Sequence, residues 1–111
     1  MRLKPSQREK KRYVVFEIAS QAQFGFRDVK DAIQAATLRC LGEFGTQKAH
    51  PIVMESMYQG NKGIVRVARA SQNDIKLTLT MLKRIQGADV SVKVTGVSGI
   101  LKKARMKFLN R

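Results

Sequence analysis

The 111-residue chain has few of the residues on which protein chemistry usually depends: no tryptophan, one cysteine, one histidine and 8 acidic residues. As the single cysteine, Cys40 cannot form an internal disulfide. Its helical spacing after Val29, Ile33 and Ala36 predicts a reduced thiol in the protein core. One histidine and one cysteine are too few for a zinc site. Disulfide frameworks and zinc sites are therefore not expected.

Clustered carboxylates and paired histidines, on which most nucleases depend, are also missing. His50 lies in a predicted loop before Pro51, far in sequence from any acid, and the simpler interpretation is a surface histidine. The acids are scattered, and helix capping accounts for three of them: Asp28, Asp31 and Asp74. We expect no catalytic site on this chain, and a metal-dependent nuclease using Asp28 or Glu55 is the enzymatic alternative.

Long apolar runs are absent, since no segment approaches the roughly 18 apolar residues of a spanning helix. Residues 1–12 have no apolar centre, so we expect no secretory signal there. We therefore expect no membrane partner and a cytoplasmic location.

Positive charge is abundant: 22 Lys and Arg against 8 Asp and Glu give a net charge of +14. Residues 1–12 contain six basic side chains and one acid, a net +5, and residues 101–111 contain five basic side chains and no acid, again +5. The 88 residues between them carry eleven basic and seven acidic side chains, a net +4. A charge concentrated at both ends predicts a polyanionic partner, and nucleic acid fits best.

The first half of the folded chain predicts one strand, one helix and a hairpin. Alternating apolar residues in 12–19 predict a half-buried strand, and residues 28–42 predict a helix that starts at Asp28 and ends at Gly42. Residues 52–58 and 63–69 resemble two strands, and Gly60-Asn61 between them favours a tight reversal.

The second half predicts a helix, a strand and a last helix. Ser71 and Asp74 resemble a capping box for a helix that continues to Ile85 and stops at Gly87. Val90, Val92 and Val94 alternate with polar residues, which indicates a strand with one buried face. A basic helix then opens at Ser98-Gly99.

The predicted fold class is α+β: a ferredoxin-like βαββαβ antiparallel sheet with helices on one face and an extra C-terminal basic helix. We expect a flexible basic arm at residues 1–11 and one domain at residues 12–111, with the basic helix at 98–110. In this arrangement the second face of the sheet is open. Apolar residues on it are either a protein interface or simply core: Ile52, Met54, Tyr58 and Ile64.

The residues of the predicted third strand indicate how the chain would bind RNA. RNA-recognition domains stack bases on aromatic residues there, but this strand reads Lys62-Gly63-Ile64-Val65-Arg66-Val67. Only 6% of the chain is aromatic, so we expect phosphate contact rather than base reading. For Arg66 and Arg69, solvated charge is an equal alternative. The candidate RNA-binding residues are Arg2, Lys4, Arg8, Lys10, Lys11, Arg12, Lys62, Arg66, Arg69, Lys102, Lys103, Arg105, Lys107 and Arg111.

The last helix combines an apolar stripe with unpaired cations. Leu101, Ala104 and Phe108 form the stripe, and the cations occupy the rest of the surface. A solvated helix is the ordinary interpretation of such a run, but the absence of acids favours phosphate contact. The amides at Ser98-Gly99 are a weaker candidate for one phosphate.

Four blocks in this order resemble the archaeal ribonuclease P protein component two family: residues 12–18 (Arg-Tyr-Val-Val-Phe-Glu-Ile), 41–45 (Leu-Gly-Glu-Phe-Gly), 63–67 (Gly-Ile-Val-Arg-Val) and 97–99 (Val-Ser-Gly). The resemblance extends from about residue 12 to residue 105. Each block alone is weak, but the Gly-Ile-Val-Arg-Val strand followed by Ser-Gly and a basic helix is fairly specific.

The resemblance implies a non-catalytic subunit of the ribonucleoprotein endonuclease that removes the 5′ leader of precursor tRNA. It implies that the catalytic centre is RNA with bound magnesium, and that this chain binds no cofactor. The implied partners are the ribonuclease P RNA, precursor tRNA through the complex, the barrel-fold component three and other protein subunits, with a dimer of heterodimers as one assembly. The alternative is a generic ferredoxin-like RNA-binding module, for example on the ribosome.

Overall fold

The computed structural model describes residues 10–106. Its elements are β1 (Lys11–Ala19), α1 (Phe26–Ala49), β2 (Ile52–Val53), β3 (Lys62–Ala68), α2 (Gln72–Met81), β4 (Arg84–Ile85), β5 (Ala88–Asp89), β6 (Ser91–Ser98) and α3 (Leu101–Ala104). Two short 3₁₀ turns lie at Glu55–Met57 and Arg69–Ser71. No helix in this described part of the chain is long and apolar enough to cross a membrane.

The main sheet has four strands in the order β2-β3-β1-β6, and every neighbouring pair is antiparallel. α1 connects β1 to β2, and α2 lies on the connection from β3 to β6. This order and these connections are those of the ferredoxin-like βαββαβ fold, so the predicted fold class is confirmed.

The main core lies between the sheet and the helices α1 and α2. Val14, Phe16 and Ile18 are buried on this face of β1, as their alternation predicts. They pack in one cluster with Ile33 of α1 and Leu79 of α2, both at most 1% exposed. Burial of this apolar surface holds both helices on one face of the sheet.

The second face of the sheet is partly covered, so the prediction of an open face is wrong where α3 lies. Ala104 of α3 packs against Val15 and Ile64, and all three are buried. The interpretation of Ile64 as core is therefore correct, and Met54 is half-buried beside the same cluster. The sheet has this second core because the chain turns back across it after β6.

α1 differs from the prediction at both ends. It begins at Phe26 with Gly25 in the N-cap position, whereas the prediction placed the start at Asp28. Gly42 breaks the helix with φ 72° and ψ −178°, but helical structure resumes and continues to Ala49. Cys40 is exposed, so the prediction of a core thiol is wrong. Before the Gly42 break, the last buried residues of the helix are Ala36 and Thr37.

The predicted hairpin exists, with a shorter first strand. β2 has two residues, and the chain then forms the 3₁₀ turn instead of continuing as a strand to Tyr58. Gly60 and Asn61 both have positive φ, and Gln59 and Lys62 exchange two backbone hydrogen bonds of 2.9 and 3.1 Å. These features are typical of the type I′ reversal that the Gly-Asn pair predicts.

The Asn61 side chain connects this reversal to the segment before α1. Its Nδ2 donates to the Ala22 carbonyl at 2.8 Å, and its Oδ1 accepts from the Phe24 amide at 3.0 Å. The Tyr58 hydroxyl donates to the Phe24 carbonyl at 2.7 Å. Asn61 is 4% exposed, so it satisfies buried backbone groups of a loop that has no ladder partners of its own.

α2 ends at Met81, four residues before the predicted end at Ile85. Gln86 and Gly87 have positive φ and join β4 to β5, so Gly87 belongs to a hairpin turn and not to a helix end. Leu82 and Ile85 are both buried. Their spacing therefore fits a hairpin as well as a helix. The predicted capping box is also wrong, because Ser71 makes no side-chain capping bond.

β6 confirms the predicted strand, and its register against β1 shifts between Val15 and Phe16, which leaves Thr95 as a bulge. Ser98 still belongs to this strand, so α3 begins at Leu101, three residues later than predicted. Lys11 already pairs in β1, which shortens the predicted arm. Residues 1–9 of that arm, and residues 107–110 of the predicted helix, lie outside the described residues.

Candidate nucleic-acid interface

The described parts of the two basic ends, residues 10–12 and 101–106, lie near one end of the sheet. β1 runs antiparallel to both β3 and β6, so the first residues of β1 lie beside the last residues of its two neighbours. Tyr13 pairs with Arg66 on one side and with Ser98 on the other. Segments that are separated by more than eighty residues in sequence are thereby adjacent.

Eight of the predicted RNA-binding residues surround this position, and we call them the basic end: Lys10, Lys11, Arg12, Arg66, Arg69, Lys102, Lys103 and Arg105. The Arg69 amide donates to the Lys10 carbonyl at 2.8 Å, which holds the two segments together. Lys10, Arg69, the two cations of α3 and Arg105 at its C-cap are exposed, and the other three are half-buried. Long cationic side chains in this arrangement suit contact with several phosphates.

Acidic residues are scarce on these elements. Glu17 is the single acid in β1, β3, β6 and α3, and it lies at the opposite end of the sheet, paired with Lys62 and Lys93. Lys62 is therefore the one described candidate that the fold places away from the basic end. Because Glu17 lies at the far end of the sheet, the basic end has a net positive charge and attracts polyanions.

Arg12 has a defined position within the basic end. Its Nη1 donates to the Lys11 carbonyl at 3.2 Å and lies where a side chain on residue 99 would project. A Cβ added to Gly99 would come 2.8 Å from that Nη1. Gly99 thus leaves room for the guanidinium beside the start of α3, a role that the sequence pattern does not indicate.

The third-strand position used for base stacking in RNA-recognition domains is not accessible. Ile64 lies beneath Ala104, and Tyr13 packs partly against the same cluster. The described part of the second face therefore offers α3 cations in place of an aromatic platform. This arrangement supports contact with the phosphate backbone of RNA.

Five of the predicted RNA-binding residues have no described position. Arg2, Lys4, Arg8, Lys107 and Arg111 lie outside the described residues. Within residues 10–106, no group of three or more His, Cys, Asp and Glu is arranged to hold a metal ion. His50 is exposed at the C-cap of α1, where its backbone angles are left-handed. Glu55 is exposed in a 3₁₀ turn.

Comparison with known proteins finds similar sequences over nearly the whole chain. The model of the Rpp14/Pop5 family matches residues 12–109. Ribonuclease P protein component 2 of Pyrococcus furiosus is 40% identical over 109 residues, which cover 98% of this chain and 91% of that protein. The same component of Methanocaldococcus jannaschii is 35% identical over 107 residues, covering 96% and 78%.

A solved structure shows the same fold at low sequence identity. A chain in the cryo-EM structure of yeast ribonuclease MRP matches with a TM-score of 0.69 and 14% identity, covering 91% of this chain and 87% of that one. At this identity the match supports the fold alone.

Proposed function

The chain belongs to the Rpp14/Pop5 family, and from this membership we propose that it is the component 2 protein subunit of a ribonuclease P. In this proposal it binds the RNA subunit of the enzyme and supports removal of the 5′ leader from precursor tRNA. Relatives that carry the component 2 name match nearly the full chain, which supports the assignment.

The observation that carries the proposal is the basic end. Antiparallel pairing places three cations of β1 and its N-terminal flank beside two at and just after the end of β3. From the same end of the sheet, β6 leads into the three cations of residues 101–105. An RNA with closely packed helices needs positive charge where its phosphates approach one another. Lys and Arg side chains supply that charge and release condensed counterions when they bind.

Chemistry in this proposal belongs to the RNA, which holds magnesium in its catalytic centre. Within residues 10–106, no three His, Cys, Asp or Glu side chains are grouped to hold a metal ion, and the positive charge of the basic end disfavours a cation there. The protein instead lowers the repulsion between RNA segments. This reduces the magnesium concentration that the folded, active RNA needs.

The proposal includes the partners that the resemblance implies. These are the RNA, the precursor tRNA reached through the complex, the barrel-fold component three and the other protein subunits, in the cytoplasm. The basic end is assigned to RNA, so a protein partner needs a different surface.

Reconstitution with the cognate RNA and component three tests the proposal. Precursor cleavage should reach half of its maximal rate at a lower magnesium concentration when this chain is present. A chain with Lys102→Gln, Lys103→Gln and Arg105→Gln should retain little of that effect. An unchanged magnesium requirement with the wild-type chain would contradict the proposal.

Sequencing of the RNA that copurifies with the chain from cells separates the proposal from the generic RNA-binding module. Enrichment of the ribonuclease P RNA is the expected result. Enrichment of ribosomal RNA instead would favour the module.

A further inference from the structure

Gly99 and Arg12 lie opposite each other where β1 and β6 reach the basic end. Tyr13 pairs with Ser98 in the last step of this ladder, so the next step brings Arg12 opposite Gly99. Without the one-residue shift at Thr95, the register would bring Arg12 opposite Ser98 instead. The bulge therefore determines that the residue facing Arg12 has no side chain.

The space beside Gly99 is occupied by Arg12. A Cβ on residue 99 would lie 2.8 Å from Nη1 and 3.5 Å from Cζ of Arg12, and it would meet no other described atom within 4 Å beyond its chain neighbours. The described glycines with positive φ are Gly42, Gly60 and Gly87, so the backbone at Gly99 does not require glycine. The guanidinium is therefore the group that explains glycine at this position.

The Arg12 guanidinium is held in place but not neutralised. Arg12 is half-buried, and its Nη1 donates to the Lys11 carbonyl at 3.2 Å. Within residues 10–106, no carboxylate lies within salt-bridge distance of Arg12, and its Nε and Nη2 make no hydrogen bond. Nε and Nη2 form the edge with which an arginine binds two oxygens of one phosphate. This edge is therefore open to an anion from outside the chain.

A held guanidinium binds a phosphate at a lower entropic cost than an exposed side chain does. Lys102 and Lys103 are exposed on α3, so phosphate contact restricts side chains that are otherwise free to change rotamer. Arg12 has already lost part of that freedom, since it is half-buried and bonded to the Lys11 carbonyl. The position of Arg12 therefore matters for affinity in addition to its charge.

We propose that Gly99 is a positioning residue for RNA binding: it leaves the space in which the Arg12 guanidinium is held with its Nε–Nη2 edge toward a phosphate of the RNA backbone. This inference rests on the proposed function for the identity of the RNA. It also changes the role of the Ser98-Gly99 turn. The Ile100 amide there already donates to the Ser98 hydroxyl at 3.1 Å, and the guanidinium supplies the phosphate donors instead.

Filter binding of the full chain to a transcript of the cognate ribonuclease P RNA tests the inference. Arg12→Gln should weaken binding at least about tenfold, and Gly99→Ala should weaken it by a similar factor. The group that Gly99→Ala displaces is the flexible end of a side chain, so the thermal transition should stay near that of the wild type. Gly25→Ala is the matched control, because its Cβ would lie no closer than 3.9 Å to Asp28, and it should bind RNA like the wild type.

The double variant separates positioning of Arg12 from a structural role of Gly99. If Gly99 acts through Arg12, Gly99→Ala should cause no further loss of affinity in the Arg12→Gln chain. An equal loss in both backgrounds, or a Gly99→Ala chain that binds like the wild type, overturns the inference and leaves the proposed function standing.

Arg12→Lys separates the position of the guanidinium from its charge. Lysine retains the charge but lacks the planar edge, so this variant should bind RNA several-fold more weakly than the wild type. Binding as tight as that of the wild type would show that charge alone is sufficient, which overturns the inference. If the wild-type chain does not bind this RNA, the proposed function fails and the inference fails with it.

Discussion

Asn61 combines two roles that are usually carried by different residues. Its backbone forms the reversal before β3 with φ 62°, and its side chain makes buried bonds to Ala22 and Phe24. Removal of such bonds leaves buried backbone groups without partners, which costs more than the bonds themselves contribute.

We expect Asn61→Gly to lower the free energy of unfolding by about 1–3 kcal/mol, because glycine keeps the turn but loses the side-chain bonds. Asn61→Ala should cost more, since alanine also resists positive φ. Urea unfolding measures both. Gln86→Gly is the matched control: Gln86 also has positive φ in a hairpin turn but is exposed, so its replacement should change stability little. Equal effects at the two turns would contradict the role of the Asn61 side chain.

Tyr58 is the residue at which stability should depend on alkaline pH. Burial raises its pKa above the ordinary value of 10.0, a hydrogen bond with the Asn61 backbone lowers it, and the charge of Asp28 raises it. A raised pKa means that the folded chain retains the phenol proton when the unfolded chain has lost it. This contribution to stability is therefore complete below pH 10.0 and is lost as the pH rises through the folded pKa.

Urea unfolding of the wild type and Tyr58→Phe, at about pH 8 and about pH 11, checks this pH dependence. Phenylalanine has no proton to lose, so the stability advantage of the wild type should shrink at the higher pH. The variant lacks the hydroxyl bond to Phe24 at both pH values, so this loss of stability cancels when the two pH values are compared. An advantage that does not change with pH would contradict the assignment.

At the scale of the element, α1 consists of two helical segments joined at Gly42. We expect Gly42→Ala to destabilise the fold by about 1–3 kcal/mol, because alanine at φ 72° and ψ −178° is strained. Gly25→Ala is the control: its φ is −74°, and an added Cβ would lie no closer than 3.9 Å to Asp28, so its stability should stay near that of the wild type. Thermal unfolding compares the two, and a tolerated Gly42→Ala would mean that the break is not required.

At the scale of the whole molecule, the charge is distributed unequally between the basic end and the rest of the surface. Each phosphate contact changes the slope of log K against log salt by about 0.7 to 0.9. Neutralising Lys102, Lys103 and Arg105 with glutamine should therefore flatten the slope by about 2 to 3 and weaken RNA binding. Filter binding over a range of salt concentrations measures both.

The matched control for this prediction removes the same charge elsewhere. Arg27, Lys83 and Arg84 are exposed near the start of α1 and at β4, away from the basic end. Their replacement by glutamine should leave the slope nearly unchanged. An equal change from both sets would mean that net charge, and not its location, determines binding.

Sequence reasoning was most successful where the pattern is local. Alternation identified β1 and β6, a strand-like run after the Gly60-Asn61 reversal identified β3, and helical spacing identified α1 and α2. Each of these patterns follows from the geometry of one element. It failed at element ends, as with Ile85, because a short apolar spacing fits a helix or a hairpin equally well. Cys40 was misplaced because the buried stripe of α1 ends before it, close to the Gly42 break.

The sequence by itself determined the fold class, the excess of positive charge and its position at the two ends of the chain. Only the tertiary structure decided that these ends meet, because adjacency of β1 and β6 depends on strand order and not on any local pattern. It likewise decided that α3 covers Val15 and Ile64 while Phe44 stays exposed. Burial of a side chain depends on what the rest of the chain places over it, and residue type alone cannot specify that.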